Sequence, residues 1–84
     1  MLSYFHYNQL PIDIKADELW EKGKFLSQRV YKHYGINLYM YSHFYIESWT
    51  DLNKNNLVKI EALPLKDLPV EYLEDINLET MITS

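Results

Sequence analysis

The sequence predicts an α+β fold in which one long amphipathic helix packs on a small antiparallel sheet. In residues 16–35, apolar residues recur every three or four positions, which is the period of a helix. In residues 36–49 and again in 57–63 they recur at every second position, which is the period of a strand. A polar stretch rich in Asp and Asn, residues 50–56, separates the two strands and predicts a hairpin.

The predicted helix covers residues 16–35 (ADELWEKGKFLSQRVYKHYG). Asp17 can cap its first turn, and Gly35 suits the left-handed position that often closes a helix. Acidic residues near the start and basic residues near the end agree with the helix dipole. Its apolar stripe consists of Leu19, Trp20, Gly23, Leu26, Val30 and Tyr34.

Residues 36–49 form the first predicted strand, and its two sides differ in chemistry. The even positions are mainly aliphatic and are expected to pack on the helix. The odd positions carry an aromatic and polar set, namely Tyr39, Tyr41, His43, Tyr45, Glu47 and Trp49. Because strands usually have only about five or six residues, we expect a bend or bulge near Ser42–His43.

The second predicted strand covers residues 57–63 (LVKIEAL). We expect Glu47 to lie opposite Lys59, because opposite charges attract across neighbouring strands. A register shifted by two residues would set Glu47 opposite Glu61, and like charges disfavour that arrangement.

The two ends of the chain complete the predicted architecture. Residues 4–10 are expected to form an N-terminal edge strand, because Pro11 favours extended geometry before it and cannot donate to a central ladder. Pro69 is expected to open a short C-terminal helix over residues 69–76, with a frayed tail at 77–84. The whole length, 1–84, is that of a single domain.

Composition and charge argue against some classes of function. The net charge is −4, and residues 67–84 hold five acids and no base. This balance argues against duplex nucleic acid as a partner, because phosphates require clustered cations. The uncharged run between Lys32 and Glu47 is shorter than the roughly 20 apolar residues of a membrane span. The chain has no cysteine, which fits a reducing cytoplasm.

No motif in the sequence predicts catalysis, a cofactor or a metal. The three histidines, His6, His33 and His43, show no metal-ligand spacing. His43 and Glu47 would lie about 13 Å apart on one strand, too far to hold one ion together. With two glycines in total, the chain has no glycine-rich phosphate loop, and it has no nucleophile-elbow motif.

The aromatic side of the first strand raises the question of what covers it. If the rings of Tyr39, Tyr41, Tyr45 and Trp49 were all exposed to solvent, they would form a larger apolar patch than soluble monomers usually show. The cover could be the C-terminal residues 68–82, a second subunit packed sheet against sheet, or a ligand such as single-stranded nucleic acid. Lys59 would be the only obvious cation on this side, and Glu47 and Glu61 oppose phosphate.

We therefore predict a small cytoplasmic protein–protein interaction module that self-associates, most simply as a homodimer, and has no catalysis of its own. The predicted interaction face consists of Tyr39, Tyr41, His43, Tyr45, Glu47, Trp49 and Lys59. The alternative is a small enzyme or ligand-binding unit whose site forms at an oligomer seam around His43.

Overall fold

The structure, a computed structural model, describes residues 3–69 and Tyr72. Two helices precede a four-stranded antiparallel sheet in which each strand pairs with the next, so the predicted α+β class is confirmed. In chain order the elements are α1 (Tyr4–Asn8), α2 (Ile12–Lys22), β1 (Lys24–Tyr31), β2 (Tyr34–Tyr41), β3 (Phe44–Asp51), β4 (Asn56–Pro64) and a short 3-10 helix (Leu65–Asp67).

The prediction of a single long helix over residues 16–35 is wrong. α2 ends at Lys22, and Gly23 follows it in extended geometry as its C-cap. The next eight residues form β1, where aromatic and β-branched residues such as Phe25 and Val30 favour a strand. Gly35 lies inside β2, and no glycine among the described residues has a positive φ, so its predicted role as a helix cap is also wrong.

The first predicted strand is a hairpin, not one long strand. Ser42 adopts a left-handed φ of 55°, and Ser42–His43 form a two-residue turn that reverses the chain. The expected bend at this position is thus a complete reversal, with Tyr41 opposite Phe44. Directly opposed residues share a face. The odd positions of β2 therefore lie beside the even positions of β3.

A second two-residue turn, at Lys32–His33, joins β1 to β2, and Lys32 also has a φ of 55°. The turn between β3 and β4 is longer. Its start is held by the Asp51 carboxylate, which accepts hydrogen bonds from the backbone N–H groups of Asn53 at 2.9 Å and Lys54 at 3.1 Å. This local bonding is the turn chemistry that the Asp- and Asn-rich stretch predicts.

The predicted register between the last two strands is wrong by two residues. Glu47 lies opposite Glu61, and Trp49 lies opposite Lys59. The charge of Glu47 finds its partners on its own sheet face, as described below, so it needs no cross-strand lysine. Glu61 stays partly exposed and has the ammonium of Lys59 at 4.0 Å along its own strand.

The predicted edge strand over 4–10 is also wrong, because residues 4–8 form helix α1. The side chain of Ser3 caps this helix by accepting a hydrogen bond from the backbone N–H of His6 at 3.2 Å. Tyr7 is fully buried, and its hydroxyl donates to the carbonyl of Lys15 at 2.7 Å. α1 and α2 thereby cover one face of the sheet over a core of Tyr7, Leu19, Tyr41, Phe44, Ile46, Ile60 and Ala62.

The outer edge of β4 is closed by side chains from the two helices. The carboxamide of Asn8 donates to the carbonyl of Ala62 at 3.0 Å and accepts from its N–H at 2.7 Å. The ammonium of Lys15 donates to the carbonyl of Ile60 at 2.9 Å. These bonds occupy backbone groups that a neighbouring strand would otherwise pair with.

The opposite face, called here the second face, holds a smaller core of Leu38, Tyr45 and Tyr72, with Leu26, Met40, Leu63 and Leu68 packed around it. Leu68 and Tyr72 thus supply part of the intramolecular cover that the sequence left open. Of the predicted C-terminal helix over 69–76, only Pro69 and Tyr72 fall within the described residues, and the predicted tail at 77–84 lies outside them. Within the described part of the chain, neither helix has the length and apolar character needed to cross a membrane.

The close approach at Gly23 leads to a first prediction. A Cβ at this position would lie 2.6 Å from Leu19 Cδ1 and 2.7 Å from the Leu19 carbonyl oxygen. Because a backbone carbonyl cannot easily move, Gly23→Ala should lower the free energy of unfolding by about 1–3 kcal/mol. Urea denaturation would measure this loss.

Gly35→Ala is the matched control. There the nearest atom is Leu52 Cδ2 at 3.1 Å, the far end of a flexible side chain that can rotate away. We expect a clearly smaller loss for this variant. Equal losses for the two substitutions would contradict the importance of the Leu19 contact.

Candidate functional site

The residues of the predicted interaction face do not share one face of the sheet, so that part of the prediction is wrong. Tyr39 and Tyr41 lie on the helix-bearing face, where their rings pack at 5.8 Å from Phe25 and 5.5 Å from Tyr7. His43 lies in the two-residue turn. The second face carries the remaining four, namely Tyr45, Glu47, Trp49 and Lys59.

A buried carboxylate, Glu47, organises the second face. Its side chain is only 4% exposed, and the Arg29 guanidinium lies 3.2 Å from Glu47 Oε2. The hydroxyl of Tyr72 donates to the same oxygen at 2.7 Å. The indole N–H of Trp49 donates to Oε1 at 3.4 Å. These donors compensate the cost of removing the carboxylate from water.

The sheet topology brings these groups together from distant parts of the sequence. Arg29 on β1 lies opposite Ile36, and Glu47 on β3 lies opposite Leu38, so both charged groups flank the same stretch of β2. The Arg29 guanidinium also lies 5.3 Å from the ring centre of Tyr72. Burial lowers the pKa of Arg29, but hydrogen bonds to Tyr72 and Glu47 and the charge of Glu47 outweigh it, so the pKa is raised.

An open cleft lies beside this network, and it is called here the Trp49 cleft. It has a volume of about 240 Å³ and is lined by Tyr34, Trp49, Val58 and Lys59. The Lys59 ammonium lies 4.2 Å from the ring centre of Trp49, a cation–π contact. Tyr34 packs edge-on against the same indole at 5.6 Å. The cleft can therefore receive a side chain that combines apolar contact with a polar end.

A second cavity surrounds His43 at the other end of the sheet. It has a volume of about 510 Å³, and its lining is mostly apolar. The lining residues are Ser3, Tyr4, His43, Phe44, Pro64, Leu65 and Lys66. His43 is thus brought next to the start of α1 and the end of β4, and it does not share a sheet face with Glu47 as the sequence suggested.

Neither place shows an arrangement for binding a metal ion within residues 3–69 and Tyr72. No three metal-ligating side chains come together in that part of the chain. The one pairing of a histidine with an acid there, His33 Nε2 and Asp51 Oδ2 at 3.7 Å, lies at the turn end of the sheet. Comparison of the chain with models of known protein families, with curated proteins and with solved structures gave no match.

Sequence reasoning missed Arg29, Tyr72 and Tyr34 as members of the second-face site. One signal for Arg29 was present. Glu47 is the only formally charged residue in 37–49, and an acid within such an apolar stretch needs a buried cation nearby. Arg29 is one of the eight basic residues that could supply this cation. No comparable signal marked Tyr72, because its position depends on how the chain returns over the sheet.

The buried tyrosines predict a loss of stability at alkaline pH. Burial raises the pKa of Tyr72, and its hydrogen bond to Glu47 raises it further. Burial also raises the pKa of Tyr7, with a contribution from the nearby Tyr41. Because the folded pKa lies above the unfolded value of about 10, the folded state keeps protons that the unfolded chain releases. Stability should be intact below about pH 10 and fall as the pH rises further.

Urea denaturation between neutral pH and pH 11 at a fixed protein concentration would measure this fall. Tyr7→Phe and Tyr72→Phe should each make the decline shallower, and the double variant should show the shallowest decline. Tyr72→Phe should also lose about 1.5–3 kcal/mol at neutral pH, because it removes a donor from a buried carboxylate. A decline with the same slope in all four proteins would contradict the role of the buried phenols.

Proposed function

We propose that this chain is a small protein–protein interaction module that self-associates, and that it has no catalytic activity of its own. The observation that carries the proposal is a group of large apolar side chains exposed on and beside β1. Trp20, at the end of α2, is 64% exposed. On β1 itself, Phe25 is 54% exposed, Val30 is 64% exposed and Tyr31 is 47% exposed.

This exposure is costly unless another surface covers it. Single exposed apolar residues are normal. Here three lie on one outer strand, Phe25 and Val30 on the helix-bearing side and Tyr31 on the second face, so this strand exposes apolar side chains on both of its sides. Aromatic residues are enriched at interfaces, and three of the four are aromatic. A chain of 84 residues buries only about 60–65% of its unfolded surface, so association would add substantially to its stability.

The proposed surface differs from the one that the sequence suggested. Tyr41 and Tyr45 are buried in the two cores of the chain, so they are not available to a partner. Trp49 and Lys59 remain accessible in the Trp49 cleft, which is lined by residues of β2, β3 and β4 and lies outside the proposed surface. The cytoplasm remains the proposed compartment, because a chain without cysteine suits it, and the acidic charge balance still disfavours duplex nucleic acid.

Sedimentation velocity over a wide concentration range tests this proposal. The expected result is a reversible shift from the chain mass of 10.1 kDa to twice that mass. A mass that stays at one chain up to about 1 mM would limit the association free energy to less than about 4 kcal/mol and would contradict self-association.

A second candidate function is favoured by the cavity at His43, whose size and mostly apolar lining are those of a small-molecule site. Under this alternative, His43 and Lys66 would meet the polar end of a largely apolar ligand. The fluorescent probe anilinonaphthalene sulfonate, which has this chemistry, should then bind with enhanced emission. Leu65→Glu should abolish this binding.

The control for this test is Leu52→Glu. Leu52 and Leu65 are exposed to a similar extent, 53% and 51%, but Leu52 lies outside the cavity. Binding that survives Leu52→Glu and disappears in Leu65→Glu would place the probe at His43. Equal weakening by both substitutions, or no binding, would rule out this candidate.

A further inference from the structure

The two outer strands of the sheet are treated differently, and this difference indicates where the chain self-associates. At β4 the side chains of Asn8 and Lys15 form hydrogen bonds with backbone groups of Ala62 and Ile60 on the outer edge of the strand. Within residues 3–69 and Tyr72, no backbone hydrogen bond from another element reaches the outer edge of β1. Among the described residues, one edge is therefore closed by side chains of the protein itself, whereas the other has its backbone groups available to another strand.

β1 also lacks most of the devices by which proteins protect an open edge. It is eight residues long, contains no proline, and has only Lys24 at its first position and the ion-paired Arg29 as charged residues. A bulge against β2 lies between Phe25 and Ser27, which leaves the pairing regular from Ser27 to Tyr31.

From these observations we infer that a second copy of this chain pairs with β1 in antiparallel orientation about a two-fold axis at Gln28. The two sheets would join into one sheet of eight strands. This inference rests on the proposed self-association and names its surface and partner. A two-fold arrangement uses the same strand in both copies and closes on itself, so it ends at the dimer.

The register follows from the faces of β1. Phe25, Gln28 and Val30 pair with Tyr39, Asn37 and Gly35 of β2, so all three share the helix-bearing side. With the axis at Gln28, the bulge at Leu26–Ser27 of one copy lies opposite Arg29 of the other. Phe25 of each copy then contacts Val30 of the other copy across the seam, the line along which the two β1 strands pair. Each chain thus covers two exposed apolar side chains of the other. Val30 is accessible for this contact because its neighbour on β2 is Gly35, which has no side chain.

Charge is compatible with a second copy in this register. In this register, Lys24 would lie opposite the uncharged Tyr31 of the other copy. The Tyr31 ring makes a cation–π contact in its own chain with Lys32, whose ammonium lies 5.3 Å from the ring centre. Arg29 is neutralised within its own chain by Glu47. No two like charges are therefore directly opposed across the seam, an arrangement that would be destabilising.

Val30→Glu tests the seam, with Val58→Glu as the matched control. Val58 lies on the other outer strand and is 41% exposed, so both substitutions place a carboxylate at a partly exposed valine of an outer strand. By sedimentation velocity, Val30→Glu should weaken association by about tenfold or more, because the change occurs twice in a symmetric dimer and removes apolar contact. Val58→Glu should associate as the natural chain does.

A second measurement does not depend on the folding of a charged variant. The chain has no cysteine, so Gln28→Cys introduces a single thiol at the axis. Opposed Cα atoms on antiparallel strands lie about 4.5–5.5 Å apart, within the Cα–Cα span of a disulfide. Oxidation by diamide should therefore convert most of the Gln28→Cys protein to a covalent dimer. Val58→Cys, which places the thiol on β4, should stay largely monomeric on a denaturing gel.

The outcomes separate this inference from the proposed function. A natural chain that dimerises, with Val30→Glu dimerising equally well and Gln28→Cys cross-linking no better than Val58→Cys, would overturn the β1 seam and leave self-association intact. A natural chain that stays monomeric would overturn both. Slow amide exchange along the outer edge of β1 in that monomer would show that the edge is covered within one chain.

Discussion

The fold depends on the tight reversal at Ser42–His43. Because only two residues join β2 to β3, Tyr41 and Phe44 are opposed, and every side chain beyond the turn is assigned to a face by that pairing. The aromatic residues are thereby divided. Tyr39 and Tyr41 join the core beneath the helices, whereas Tyr45 and Trp49 join the second face. A turn longer by one residue would exchange these two sets and place Glu47 beneath the helices, away from Arg29.

The sequence predicts the alternating segments better than their connections. The alternation over 57–63, the polar turn before it and the two-sided character of the residues on either side of Ser42–His43 are all present in the structure. The reversals at Lys32 and Ser42 are not visible in the sequence, because neither contains the Gly or Asn that usually marks a left-handed turn position. Apolar residues recur every three or four positions over 16–35, although this segment consists of α2 followed by β1, a strand with a bulge. The helical period there does not correspond to a single helix.

The candidate site could be predicted in part. Trp49 and Lys59 do lie together on one face, and Glu47 lies beneath them. Arg29 and Tyr72 could not be placed, because the first depends on β1 being a strand and the second on the return of the chain over the sheet. Glu47 therefore connects β1, β3 and the segment after β4 through one carboxylate. β1 is thus held to the centre of the sheet by the ion pair of Arg29 with Glu47 in addition to its backbone hydrogen bonds with β2.

The bonds between Asn8 and Ala62 have a consequence for the order of assembly. The four strands are joined by turns of two to four residues, so their pairing is local and fast. Asn8 and Ala62, in contrast, are 54 residues apart, so this contact is long-range and forms after the local pairing of the strands between them. α1 can dock only when β4 is in place. During synthesis the N-terminal helices therefore leave the ribosome well before the surface that they cover exists, so Tyr7 and Leu19 are buried only after the hairpins have formed.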